Sequence, residues 1–257
     1  MPRVSAFIFE LETKERDFDN FLIKTFNKLK IDTHKELPWE GFLLKTNSTD
    51  SIASEKDEFG TLKFTYILEE EVDFQSANGK TVKNRIKENV AVWIDQKSKL
   101  MSIFTSKPGI AFKIIRKIIE SLKEKSFTIT PCKFDIGFLK WLENIEDYGN
   151  SILLEIYGTR ATKLGAVDGV ADTLSLTTTS ILNKSQVFKL IKDKGSRVYL
   201  KGLFQIDSYQ IEASFYTDCK ITLSKRKSVN LSMEEAKHSL KNIYLELKKW
   251  FNQYKQV

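Results

Sequence analysis

The sequence predicts an α+β fold: two topologically related lobes of mostly antiparallel sheet, each covered on one face by helices. Three observations carry that expectation. Many short segments alternate apolar and polar residues, the period of a half-buried strand. A few longer segments repeat apolar residues at three- and four-residue spacing, the period of a helix packed on one side. The third observation is an internal echo at an offset of 112 residues. Ile94-Asp95 leads to Ser102-Ile103-Phe104-Thr105, and Ile206-Asp207 leads to Ser214-Phe215-Tyr216-Thr217. Both copies lie in strand-like sequence with a helix-like segment after them, which predicts duplicated topology.

The elements follow in order. Residues 3–10 alternate, with Val4, Ala6 and Ile8 on one face. Between Glu15 and Ile31, Phe18, Phe21, Leu22, Phe26 and Leu29 form the apolar stripe of a helix. Pro38 opens a short strand through Lys45, and the polar run 46–60 is expected to be a loop. Leu62, Phe64, Tyr66 and Leu68 alternate as a strand, and Ala77-Asn78-Gly79-Lys80 has the chemistry of a hairpin turn. Strands are expected at 86–95 and 99–106, a helix from Pro108-Gly109 to Lys125, a strand over 127–130 and a helix over 135–145. Glu146 to Asn150 is the expected boundary between lobes 1–146 and 151–257. Beyond it come strand 151–158, a glycine-spaced loop, strand 172–179, helix 184–194 and strand 196–207. From Ile211 to Leu223 the alternation is unbroken, which predicts one long strand with a packed odd-numbered face and a wetted even-numbered one. The last helix starts at Ser232-x-x-Glu235, a capping-box spacing.

With 41% hydrophobic and 12% aromatic residues the chain is globular, and no apolar run is long enough to span a membrane. The start of the chain is a strand pattern, not a secretory leader. Cys132 and Cys219 stand far apart, so reduced thiols in a cytoplasmic protein are expected, with no zinc site and no cofactor. Charge is uneven. Residues 1–100 carry 16 Lys/Arg against 18 Asp/Glu, a net of −2, and the remainder carries 25 against 16, a net of +9. A basic second part beside a near-neutral first one is the asymmetry of a polyanion-binding surface.

Candidate contacts follow from that asymmetry. On the even-numbered side of 210–224, Tyr216, Lys220 and Thr222 lead to the basic turn Lys225-Arg226-Lys227. Arg197, Tyr199 and Lys201 form a neighbouring row at strand spacing. Cations neutralise phosphates and aromatic faces stack on unpaired bases. Lys113, Arg116 and Lys117 line the solvent side of the helix after Pro108. Arg160 and Lys163 sit in the glycine-spaced loop, which lacks the Gly-Lys-Ser/Thr of a phosphate-binding P-loop. Asp207, ten intervening residues and then Asp218-Cys219-Lys220 resembles the core spacing of restriction-type nucleases. That resemblance implies two carboxylates on a divalent metal and a lysine positioning water. Asp207 falls at an expected turn, and no preceding acid on a helix stands out to support such a site. The leading expectation is therefore a non-catalytic nucleic-acid-binding or adaptor subunit of a larger complex, in prokaryotic defence or genome maintenance. DNA or RNA and a protein are its expected partners, with the first lobe docking the protein and no membrane involved. A nuclease using Asp207, Asp218 and Lys220, and a purely protein-binding subunit, are the alternatives.

Overall fold

A computed structural model describes residues 3–13, 18–32, 38–45, 52–75, 77–122, 127–143, 153–162, 173–177, 196–206, 209–224 and 232–254. The fold is α+β. Every strand pairing with a defined register is antiparallel, and four helices are present among the described residues. The chain forms two compact units. One is Phe9–Thr130; the other combines Met1–Ile8 with Pro131–Val257. The segment 147–150, where a boundary is expected, lies outside the described residues.

In the Phe9–Thr130 unit the elements are the end of β1 (Arg3–Thr13), α1 (Phe18–Asn27), β2 (Trp39–Phe42), β3 (Ser54–Lys56), β4 (Thr61–Gln75), β5 (Thr81–Asp95), β6 (Leu100–Phe104), α2 (Pro108–Ser121) and most of β7 (Phe127–Pro131). The strands order β2-β4-β5-β6-β1, with β3 also on β4. β3 lies inside the run expected to be a loop, because Ser54, Glu55 and Lys56 pair with Phe64, Lys63 and Leu62. Phe26 stacks on Phe42 at 4.3 Å between ring centroids, and Phe64 and Tyr66 meet the pair edge-on. That cluster is the core under α1. Gly41 sits where a Cβ would come within 2.6 Å of the backbone of Leu29 and Ile31. Only glycine lets β2 lie so close to the chain leaving α1. Pro108 begins α2 with φ preset for a helix and no amide hydrogen to strand.

The other unit holds the start of β1, α3 (Ile136–Glu143), β8 (Leu153–Thr162), β9 (Thr173–Thr177), β10 (Ser196–Ile206), β11 (Tyr209–Tyr216), β12 (Lys220–Ser224) and α4 (Met233–Tyr254). Its strands order β1-β12-β11-β10-β8-β9. Leu200, Phe204, Ile211, Ala213, Phe215, Ile221 and Leu223 are buried on one face. Phe134 and Tyr244 pack against that face, with Phe134 edge-on to Phe215 at 5.2 Å. α4 begins as its sequence predicts. The Ser232 amide donates to Glu235 Oε2 at 2.6 Å, and the Glu235 amide donates to Ser232 Oγ at 3.2 Å. The expected helix 184–194 lies outside the described residues.

Two expectations change. The long strand 210–224 is a hairpin, β11 and β12, turning at Thr217–Cys219, where Cys219 takes φ 63°. The two echo segments are both hairpins, but their registers differ by four residues. Ser102 faces Trp93, whereas the matching Ser214 faces Lys201 and not Gln205. A four-residue connection joins Asp95 to Leu100, while Ile206 pairs with Tyr209 across two. β12 then intervenes before α4, with no strand between β6 and α2.

Candidate nucleic-acid interface

Across β8, β10, β11 and β12 the face opposite the core carries the residues expected there. Lys201 lies between Gly158 and Ser214, and Ser214 in turn faces Thr222, which faces Ser5 of β1. The next row holds Arg160, Tyr199 and Tyr216, each directly opposite its neighbour, with Arg160 in β8 and not in the loop expected for it. Lys220 completes that row with its Nζ 5.0 Å from the Tyr216 ring centre. Cation, ring, ring and cation thus stand side by side. The two tyrosine rings are tilted by 45° with centroids 4.8 Å apart, so they already contact each other. Gly158 is not required for this arrangement, because a Cβ there would make only ordinary contacts, 3.5 Å from Tyr199 Cε1 and 3.4 Å from the Lys201 Cβ.

Electrostatics divide the candidates. Arg160 is exposed and has no ion pair among the described residues. Lys201 is committed to Glu212 at 3.1 Å, the neighbour diagonal to it across the ladder. Burial raises the Tyr216 phenol above its ordinary value, helped by Tyr199, while nearby Arg3 opposes the shift. Arg3 is a member of this face that periodicity gave no reason to choose. It arrives because Arg3 pairs with Ser224, an alignment between the two ends of the chain that no local signal encodes. Ser5 Oγ and Thr222 Oγ1 share a 2.9 Å hydrogen bond, so the centre of the face is tied together and not fully wetted. Arg197 is on β10 opposite Ala161, with its side chain outside the described residues. Lys163, Lys225, Arg226, Lys227 and Asp207 also lie outside them.

No family model matches the chain, and comparison with curated proteins finds no match either.

The lysines of α2 are placed differently from the expectation of free surface cations. Lys113 and Lys117 both reach Glu40 Oε2, at 3.1 and 3.0 Å, and Tyr66 donates its hydroxyl to Glu40 Oε1 at 2.9 Å. Burial alone would raise the Glu40 carboxyl, but the bonds from Lys117, Lys113 and Tyr66 hold it below the usual carboxylate range. The same carboxylate and burial push the Tyr66 phenol well up. These lysines therefore fasten α2 to β2, and Arg116 is the exposed cation of the three without an ion pair among the described residues.

The geometry of the nuclease resemblance also differs from expectation. Asp218 is in the exposed turn and Lys220 is the first residue of β12, so the two do not share a strand face. Asp218-Cys219 supplies the hairpin reversal. Burial, and then the Asp218 carboxylate beside it, push the buried Cys219 thiol up to about 12. Among the described residues no three His, Cys, Asp or Glu side chains are placed to hold a metal ion. No helix there is long and apolar enough to cross a membrane.

Proposed function

We propose that this protein is a non-catalytic nucleic-acid-binding adaptor of a larger cytoplasmic complex. Its Pro131–Val257 part contacts phosphate backbones, and its Phe9–Thr130 part docks a protein. One observation supports this most. Divided by structural unit the charge remains uneven, though less so than between residues 1–100 and the remainder. Phe9–Thr130 carries 21 Lys/Arg against 20 Asp/Glu, a net of +1, and the other unit carries 20 against 14, a net of +6. The row Arg160, Tyr199, Tyr216, Lys220 adds the chemistry that a flexible, single-stranded polyanion needs: cations for phosphates beside ring faces for bases.

The test is a fluorescence-anisotropy titration of single- and double-stranded DNA and RNA across a salt series. Replacing Lys225, Arg226 and Lys227 by Ala should weaken binding and flatten the slope of log K against log salt by roughly 2–3 units. Arg160→Ala should remove about one more. An unchanged slope would take these residues out of the site. If no binding is detected at about 50 mM salt, the reading that survives is the purely protein-binding adaptor, which the ion-paired state of Lys113, Lys117 and Lys201 favours.

A further inference from the structure

β4 and β5 pair over fifteen consecutive residues each, from Thr61 opposite Asp95 to Gln75 opposite Thr81. Only the first part is embedded in the sheet. β2 pairs with β4 no further than Glu69, and β6 pairs with β5 no further than Ala91. Beyond these, residues 70–75 and 81–87 form a two-stranded arm, exposed at every position but Val72. Because opposite residues differ by an even number, parity is preserved across the ribbon. Odd-numbered residues share one face and even-numbered residues the other.

The two faces differ in how far their chemistry is satisfied. On the odd face an ionic ladder closes on itself. Arg85 and Lys87 reach Glu69, Lys83 reaches Glu71 at 3.6 Å, and the Arg85 guanidinium lies 4.5 Å over the Trp39 ring. On the even face stand Val72, Phe74, Val82 and Ile86, with Phe74 46%, Val82 51% and Ile86 42% exposed, and the neutral Asn84 opposite Val72. Phe74 lies directly opposite Val82. Glu70 is the one charge of the arm on this face, and its side chain has no ion pair or hydrogen bond among the described residues, whereas Glu88, next along the face beyond the arm, is already paired with Lys107 at 2.7 Å. A two-stranded ribbon is marginal in water by itself. An apolar stripe ending in an unpaired carboxylate calls for a complement that is apolar with a cation at one end.

We propose that the even face of this arm is a docking surface for a basic, amphipathic segment of a partner protein. The inference rests on the adaptor reading above and names the chemistry of its protein partner. A second copy of the chain fits less well. With arms antiparallel, Glu70 would lie on the partner copy's Phe74 and Val82; with arms parallel, it would meet another Glu70. A phosphate surface is disfavoured by the arm's only charge on this face being negative.

The experiment is selection of a random dodecapeptide library on the full chain, followed by affinity measurement of the recovered peptides. We expect alternating or helically spaced apolar residues with an excess of Lys and Arg. Phe74→Ser with Val82→Thr should weaken these peptides at least tenfold with an unchanged thermal melt. Glu70→Lys, which leaves the apolar residues intact, should weaken them several-fold and favour acidic peptides. Recovery of peptides with no cation excess, or of none that depend on Phe74 and Val82, would overturn the proposal. So would indifference to Glu70→Lys. Concentration-dependent self-association, or binding of duplex or anionic vesicles, that disappears with Phe74→Ser/Val82→Thr would reassign the face. The nucleic-acid reading fails separately: arm substitutions should leave the salt slope untouched, and loss of that slope with the arm intact would leave the docking result standing.

Discussion

Single side chains here do more to join elements than their positions in the sequence suggest. Glu40 is the clearest case. Its side chain is only 14% exposed, yet three donors from β4 and α2 converge on it. Removing the charge leaves two ammonium groups without their acceptor and Tyr66 with a poorer one. Glu40→Gln should therefore destabilise the fold by about 1–2 kcal/mol, after discounting the exposure of both lysines. The pH dependence fixes the sign. Because the folded carboxyl titrates below its ordinary value of 4.5, its contribution is complete above that value. It is lost as pH falls through the folded pKa. Denaturant unfolding at pH 7 and near pH 3 should show a wild-type loss that Glu40→Gln lacks. A variant as stable as wild type at pH 7 would mean the three contacts are incidental. Sequence alone presented Lys113 and Lys117 as solvated cations, since nothing in a helical pattern reveals an acid on a strand more than seventy residues earlier.

At the scale of elements, what was legible depended on whether the information is local. The start of α4 is local: Ser232 and Glu235 satisfy each other's backbone amides, as their spacing implies. Ser232→Ala should cost about 1 kcal/mol, seen as a lower Tm with little change in the unfolding m-value. A shift within error would show that packing of Leu240, Ile243 and Leu247 holds the helix without its cap. The β11–β12 hairpin was hidden for a definite reason. Phe215 faces Ile221 and Ala213 faces Leu223, partners separated by even numbers. Such a register keeps odd residues on the core face through the turn, so a hairpin and one long strand give the same alternation. The signal that distinguishes them is Asp218-Cys219, and Cys219 at φ 63° is an uncommon turn residue. The β4–β5 arm was concealed differently. The acids of β4 and the cations of β5 stand apart in the sequence, and only the register sets Lys83, Arg85 and Lys87 beside Glu69, Glu71 and Asp73. Strands, helices and the mixed α+β class were thus readable from period and turns, whereas the arm's pairing and the inward turn of the α2 lysines were not.

For the molecule as a whole, the proposed non-catalytic binding of nucleic acid stands against the alternative of a metal-dependent nuclease. A restriction-type site needs two carboxylates near enough to share one hard cation at oxygen distances of about 2–2.5 Å, with a lysine at the scissile phosphate. Asp218 is in an exposed turn, and Lys220 lies beside the Tyr216 ring on the strand after it. β11, whose eight residues at about 3.3 Å each span more than 20 Å, runs from Tyr209 to the turn that holds Asp218, and Asp207 lies outside the described residues. Incubating plasmid and single-stranded substrates with the full chain, in Mg²⁺ and separately in Mn²⁺, should leave them intact while the same preparations bind in a salt-dependent way. Cleavage abolished by Asp218→Ala would overturn the non-catalytic reading and require the turn to rearrange around the metal. Cleavage that survives Asp218→Ala would place any activity elsewhere, and binding without cleavage would leave the cations and rings of one sheet face as a surface that holds its ligand for a partner to use.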